Sequence, residues 1–204
     1  IIKDSQKYIP EFLEDIVEKN INCIHFIKTP EGQLPLFNGA TSQNLSQIQK
    51  YLDDFKPDNK EGNLGGLFRI KHKNHFLVVD IGKPPMKKFS KSYQSGPLSF
   101  EYFLDGIKII TNSGFGYHIS KKIELLSRLT ACQSTLSIND TSITKFEKNE
   151  ITSKIFGNSI LNSFKSFDFS SKNESDLIGC TASNNGYEKK FGCIHKREIY
   201  LDKK

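Results

Sequence analysis

The chain of 204 residues has no tryptophan and a single methionine, against 16 phenylalanines. It has no uninterrupted apolar run long enough for a membrane-spanning helix, which needs about 18 residues or more. Its four cysteines, Cys23, Cys132, Cys180 and Cys193, contain no C-x-x-C pair, which argues against a zinc knuckle or a dithiol redox site. Buried free thiols are the expected state. A Cys180–Cys193 bridge, closing a hairpin-sized loop, stays open as the alternative. There is no internal repeat of fixed period. The chain starts on Ile1-Ile2-Lys3 without a signal-peptide pattern, as a piece of a longer protein would.

The net charge is +6, with 29 basic and 23 acidic residues. Such a balance suits anionic partners in general. No dense Lys/Arg block with interleaved aromatics is present, so nucleic acid is not an expected partner. The lysines read first as a solvated surface and second as a face for an acidic polysaccharide.

From Leu98 onward the apolar residues alternate, at Leu98, Phe100, Tyr102 and Leu104. Period two is the mark of a strand with one buried face. Asp105-Gly106 is a two-residue hairpin turn that tolerates positive φ. Ile107, Ile109 and Thr111 then alternate with Lys108, Ile110 and Asn112, completing an antiparallel hairpin. Strands are also expected at 67–71, 76–81, 134–139, 177–183 and 193–201. Helical spacing covers Tyr8, Ile9, Phe12, Leu13, Ile16 and Val17, capped by Asp4 or Ser5 and ending near Asn20. A second helix is expected over 45–55, followed by a linker at 56–63, Lys-Pro-Asp-Asn-Lys-Glu-Gly-Asn. Residues 119–126 read as a short helix or a loop, and 152–174 give no clear period. The fold class is therefore mainly β, an antiparallel sandwich preceded by a short helical segment, with a ligand-holding barrel as the rival. The division falls at 1–62 for the helical part and 63–204 for the β part.

Five ordered segments carry a resemblance. They are Thr29-Pro-Glu-Gly-Gln-Leu-Pro-Leu-Phe-Asn-Gly39, Val79-Asp-Ile-Gly-Lys-Pro-Pro85, Pro97-Leu-Ser-Phe-Glu101, Arg128-Leu-Thr-Ala-Cys-Gln-Ser-Thr135, and Ser183-Asn-Asn-Gly-Tyr187 with Phe191-Gly-Cys-Ile-His-Lys-Arg197. Together they resemble the C-terminal β-sandwich of the heparinase II/III-like polysaccharide lyases. The resemblance implies a sandwich that follows an (α/α) toroid, with an acidic glycan lying between the two. It implies β-elimination at a uronate of a glycosaminoglycan- or alginate-like polymer, and a periplasmic or cell-envelope setting. The toroid, which carries the main catalytic residues in the family, is then a missing partner of this chain. The chain by itself is expected to be inactive.

The chain departs from that pattern where the family carries zinc-binding side chains. Gln94 and Gln133 stand where histidine is usual, and Asn112 stands where metal-binding members have aspartate. Asn184-Asn185 replace a His-Asp pair. Carboxamides are poor zinc ligands, so no zinc or other cofactor is expected. They still donate to and accept from sugar hydroxyls and carboxylates. The candidate substrate-binding residues are Gln94, Asn112, Arg128, Gln133, Asn184, Tyr187 and His195. Each has a structural alternative: Arg128 in a salt bridge with Glu101 or Glu124, Tyr187 in packing, His195 as a satisfied interior histidine, and the amides as strand-end caps. Asp80 reads as a turn-forming residue.

Overall fold

The computed structural model describes residues 10–42, 45, 49–53, 62–149, 151–153 and 157–204. The expected caps Asp4 and Ser5, residues 46–48 and 54–55 of the expected 45–55 helix, and 56–61 of the linker lie outside these residues.

Helix α1 spans Glu11–Ile27. It continues past Asn20, where sequence spacing placed its end. The Asn20 side chain donates to the Ile16 carbonyl within the helix, and the apolar periodicity carries on to buried Ile21 and Phe26. The stop comes at Lys28-Thr29, just before Pro30, where proline disfavours helical geometry in the residue preceding it. Helix α2, Gln49–Asp53, is a short remainder of the second expected helix.

The β region holds two antiparallel sheets. One has five strands in the order β1 (Gly62–Leu64), β2 (Leu67–His72), β3 (His75–Asp80), β4 (Phe100–Leu104) and β5 (Ile107–Ile110). The other has three, β6 (Ser166–Asn173), β7 (Leu177–Asn184) and β8 (His195–Asp202). Short helix α3 (Lys121–Leu126) comes between the two sheets in the chain, and α4 (Glu188–Phe191) between β7 and β8.

The turn joining β4 to β5 puts Asp105 at φ 52° and Gly106 at φ 78°, so both central residues are left-handed, as a tight hairpin of matching twist requires. The sheets share one core. Phe68 and Ile70 of β2, Leu77 and Val79 of β3, and Ile178, Cys180 and Ala182 of β7 meet there, with Ile81 and Leu98. Strand β3 is buried on both faces, which explains its nearly unbroken apolar run. Its outer side chains, Phe76 and Val78, pack with Phe103 under Phe37 of the segment that follows α1. The helical part is therefore fastened to the back of the larger sheet. Arg69 reinforces the fastening, donating to the Phe26 carbonyl at 2.8 Å with its guanidinium 4.5 Å from the Phe26 ring centre.

One expected strand is absent. Residues 134–139 make only an isolated bridge, Ile138 to Thr141. Their backbone groups go to side chains instead: Ser134 N–H donates to Asn112 Oδ1 and Ile138 N–H to the Tyr187 hydroxyl. Such local partners compete directly with a sheet ladder. Conversely, the 152–174 stretch supplies β6, an exposed edge strand that bends at Asp168, φ 53°. All four cysteines are free; Cys180 pairs across to Ile199, well along β8 from Cys193.

Candidate functional site

Gln94, Asn112 and Gln133 come together around two neighbouring segments, 112–114 and 127–134. Gln94 is 1% exposed and makes three hydrogen bonds. Its Nε2 donates to the carbonyls of Gly114 (2.9 Å) and Ser127 (3.0 Å), and its Oε1 accepts from the Gly39 amide at 3.0 Å. Gln133 Nε2 donates to the same Ser127 carbonyl at 2.8 Å. Asn112 Oδ1 accepts from the Ser134 backbone N–H (2.9 Å) and hydroxyl (3.1 Å), while the Asn112 backbone N–H donates to Glu101 Oε1 at 3.1 Å. The three amides thus gather, and the bonds they make tie loops to one another. Gln94 in particular joins the segment after α1 to the sandwich. Gln94→Ala removes three bonds from a buried site and takes from the Gly39 amide its acceptor, so a loss of about 2 kcal/mol in urea unfolding is expected.

Arg128 is fully buried. Its Nε donates to the Tyr93 carbonyl (2.8 Å), one terminal nitrogen to Asn158 (2.6 Å) and the other to Ser90 (2.8 Å). The Phe146 ring lies 4.0 Å from the guanidinium carbon. Neither Glu101 nor Glu124 forms a salt bridge with it; Glu124 pairs with Lys121 and Glu101 bonds Thr111 and the Asn112 amide. Burial lowers the Arg128 pKa to about 10, with Glu124 opposing, and the group stays charged at neutral pH.

Tyr187 is also sealed in the core. Its hydroxyl lies 2.9 Å from the Thr141 carbonyl and 3.1 Å from that of Leu136, and its ring meets Phe191 edge to face. Asn184 Oδ1 accepts from the Gly186 amide, and its Nδ2 donates to His195 Nδ1 at 3.1 Å. Burial, followed by the charge of Arg197, lowers the His195 pKa to about 4. A neutral ring that accepts at Nδ1 agrees with that shift. Arg197 continues the seam, donating to the carbonyls of Leu98 and Ser134, both at 2.7 Å. Asp80 accepts from the Gly82 amide (2.9 Å) and from Asn38 (3.0 Å), turn-former and latch to the helical part at once. Burial raises its pKa to about 6.

The open space lies beside this seam. A cavity of about 610 Å³ is lined by Lys83, Pro84, Ser163, Phe164, Lys165, Ser166, Phe167, Asn185, Glu188 and Ile194. Asn185, Glu188 and Ile194 each adjoin a sequence candidate, Asn184, Tyr187 and His195 respectively, so the motifs lead to the region although the candidate side chains point into the fold. Lys165 carried no local signal, and Lys83 lay within the Val79–Pro85 segment without being singled out; packing brings the two to one cavity. Among the described residues, no group of three or more His, Cys, Asp or Glu side chains is placed to hold a metal ion, and no helix is long and apolar enough to cross a membrane.

The architecture defines an antiparallel two-sheet sandwich module with a polar seam at one end. Residues 56–204 match the family profile described as heparinase II/III-like, C-terminal, and the chain belongs to that family. No curated protein matches the sequence. Among solved structures, a mutant of the heparan sulfate lyase HepC from Pedobacter heparinus superposes with a TM-score of 0.68 at 18% identity, over 95% of this chain and 31% of that one. A heparinase III, the BT4657 gene product, gives 0.66 at 16% identity, over 94% and 31%. Another heparinase III gives 0.65 at 13% identity, over 94% and 33%. The chain thus spans about a third of the length of these structures, and the likeness is one of fold.

Proposed function

We propose that this chain is the sandwich part of a polysaccharide lyase that cleaves an acidic, uronate-containing glycan by β-elimination. The observation that carries the reading is the fold shared with the heparan sulfate lyase HepC and with a heparinase III over nearly the whole chain. Elimination needs a base at the C5 proton, an acid at the leaving oxygen, and neutralisation of the substrate carboxylate. The groups named above are engaged otherwise. Carboxamides are not bases near neutral pH, His195 is buried and bonded to Asn184, and Arg128 is held by three carbonyls. The base therefore belongs to the toroid part of the protein, and this chain alone is inactive. Gln94, Asn112 and Gln133 hold loops rather than zinc. The setting is the periplasm or cell envelope.

The test incubates the full-length protein with a panel of uronate polysaccharides, with and without chelator, and follows absorbance of the unsaturated product. Cleavage that chelator leaves untouched is the expected result. Cleavage by the isolated 204-residue chain would overturn the placement of the base. A second reading, a relative that binds glycan without cutting it, is favoured by the amides at the histidine positions bonding to backbone. Binding to the same polymers without cleavage would select it.

A further inference from the structure

We infer that the cavity bounded by Lys83 and Lys165 is a binding site for an acidic sugar unit, bearing carboxylate or sulfate, within a glycan chain. The inference rests on the glycan reading above and locates where this chain contacts its ligand. Its volume, about 610 Å³, falls within the range of roughly 300–1,000 Å³ usual for ligand pockets. The walls divide by chemistry. Pro84, Phe164, Phe167 and Ile194 offer apolar surface to the carbon face of a sugar ring, and Ser163 and Ser166 lie among them for its hydroxyls.

Both lysines are exposed, and among the described residues neither forms an ion pair. Lys ammonium groups are mobile point charges that suit a carboxylate or sulfate presented at varying angles. The frame beneath them is fixed. Lys165 N–H donates to Asn185 Oδ1 (2.7 Å), Asn185 N–H returns to the Lys165 carbonyl (3.2 Å), and Ser166 Oγ donates to the Gly82 carbonyl (2.7 Å). The last bond joins the two lysine-bearing segments. Asn185 Nδ2 also holds the one lining carboxylate, Glu188, at 3.1 Å. Further along the same segment Lys87, Lys88 and Lys91 are exposed, and no acidic residue falls between 83 and 91 in the sequence.

The test titrates the 204-residue chain calorimetrically with four probes: an alginate tetrasaccharide, a heparin tetrasaccharide, neutral cellotetraose and sodium sulfate. Binding of at least one acidic tetrasaccharide, with no response to cellotetraose, is expected. The double variant Lys83→Ala/Lys165→Ala should bind about tenfold more weakly, as loss of charge-assisted contacts at the site requires. The control Lys71→Ala/Lys172→Ala removes equal charge from the opposite end of the sheets, and should stay within about twofold because distant exposed charges are screened. Equal weakening in both double variants overturns the site, as does equal binding of cellotetraose. No binding of either acidic probe overturns it too. Sulfate competing as well as the tetrasaccharide would reduce it to a plain anion site and overturn the sugar. Failure here with full-length cleavage intact leaves the lyase reading standing, and loss of cleavage with this binding intact leaves the cavity standing.

Discussion

Arg128→Ala is expected to cost about 4 kcal/mol or more, the largest effect of any single substitution in this chain. The guanidinium is fully buried, and all three of its nitrogens donate to main-chain carbonyls, of Tyr93, Asn158 and Ser90. Hydrogen bonds involving a charged group contribute about 1.5–3 kcal/mol each, though the set is not additive. Truncation would leave those carbonyls without their donor, open a cavity and remove the contact with Phe146. Arg128→Lys keeps the charge but lacks the planar fork, so one ammonium cannot reach carbonyls arranged around a guanidinium. A loss of about 2–3 kcal/mol is expected there, and that variant should remain folded enough to measure. Urea unfolding of both variants checks the ranking. Had Arg128 been a substrate clamp, both would unfold like the wild type and differ only in glycan affinity. That result would refute the structural role.

Arg128 also illustrates how far sequence reasoning reaches. Its position in a family-like motif made it a candidate for a substrate carboxylate, with a salt bridge to Glu101 or Glu124 as the alternative; motif and composition alone do not distinguish either from a guanidinium aimed at carbonyls. The hairpin from Phe100 to Ile110 was readable because the buried face of β4 imposes period two and Asp105-Gly106 announces the turn, and β3 because burial on both faces leaves a nearly unbroken apolar run. The same alternation at 134–139 misled. There Asn112 and Tyr187 take up backbone groups from distant parts of the chain, and no local pattern reports that. Helix α1 outran its expected end because Asn20 bonds back into the helix. Strand β6 was unreadable because an exposed edge strand needs no apolar face. Among the site residues, the resemblance implied that Gln94 and Gln133 lie near one another, but not that both bond the Ser127 carbonyl, and Lys83 and Lys165 are joined only through tertiary packing.

The second large effect concerns acid stability, where two buried groups oppose one another. His195 has a pKa of about 4 in the fold against 6.5 for the ordinary ring. As pH falls from about 6.5 to about 4, the unfolded chain takes up the proton first, and about 3 kcal/mol of stability is lost. Asp80 has a pKa of about 6 against 3.8. Here the folded carboxyl holds the proton more tightly, so stability rises as pH falls from about 6 to about 4, again by about 3 kcal/mol. The two slopes have opposite signs over nearly the same window, and in the wild type they largely cancel. Each substitution should therefore unmask the other group. His195→Gln retains an acceptor for Asn184 and should gain stability, relative to wild type, as pH drops from 6.5 to 4.5. Asp80→Asn retains an acceptor for the Gly82 amide and should lose stability over the same interval. Urea midpoints at pH 4.5, 5.5 and 6.5 measure both, and comparison with the wild type subtracts the titration of distant carboxylates. If both variants run parallel to the wild type across that range, neither group is titrating as its burial demands. Opposite tilts would establish that the latch at Asp80 and the seam at His195, far apart in the sequence, offset one another in the acid response of the fold.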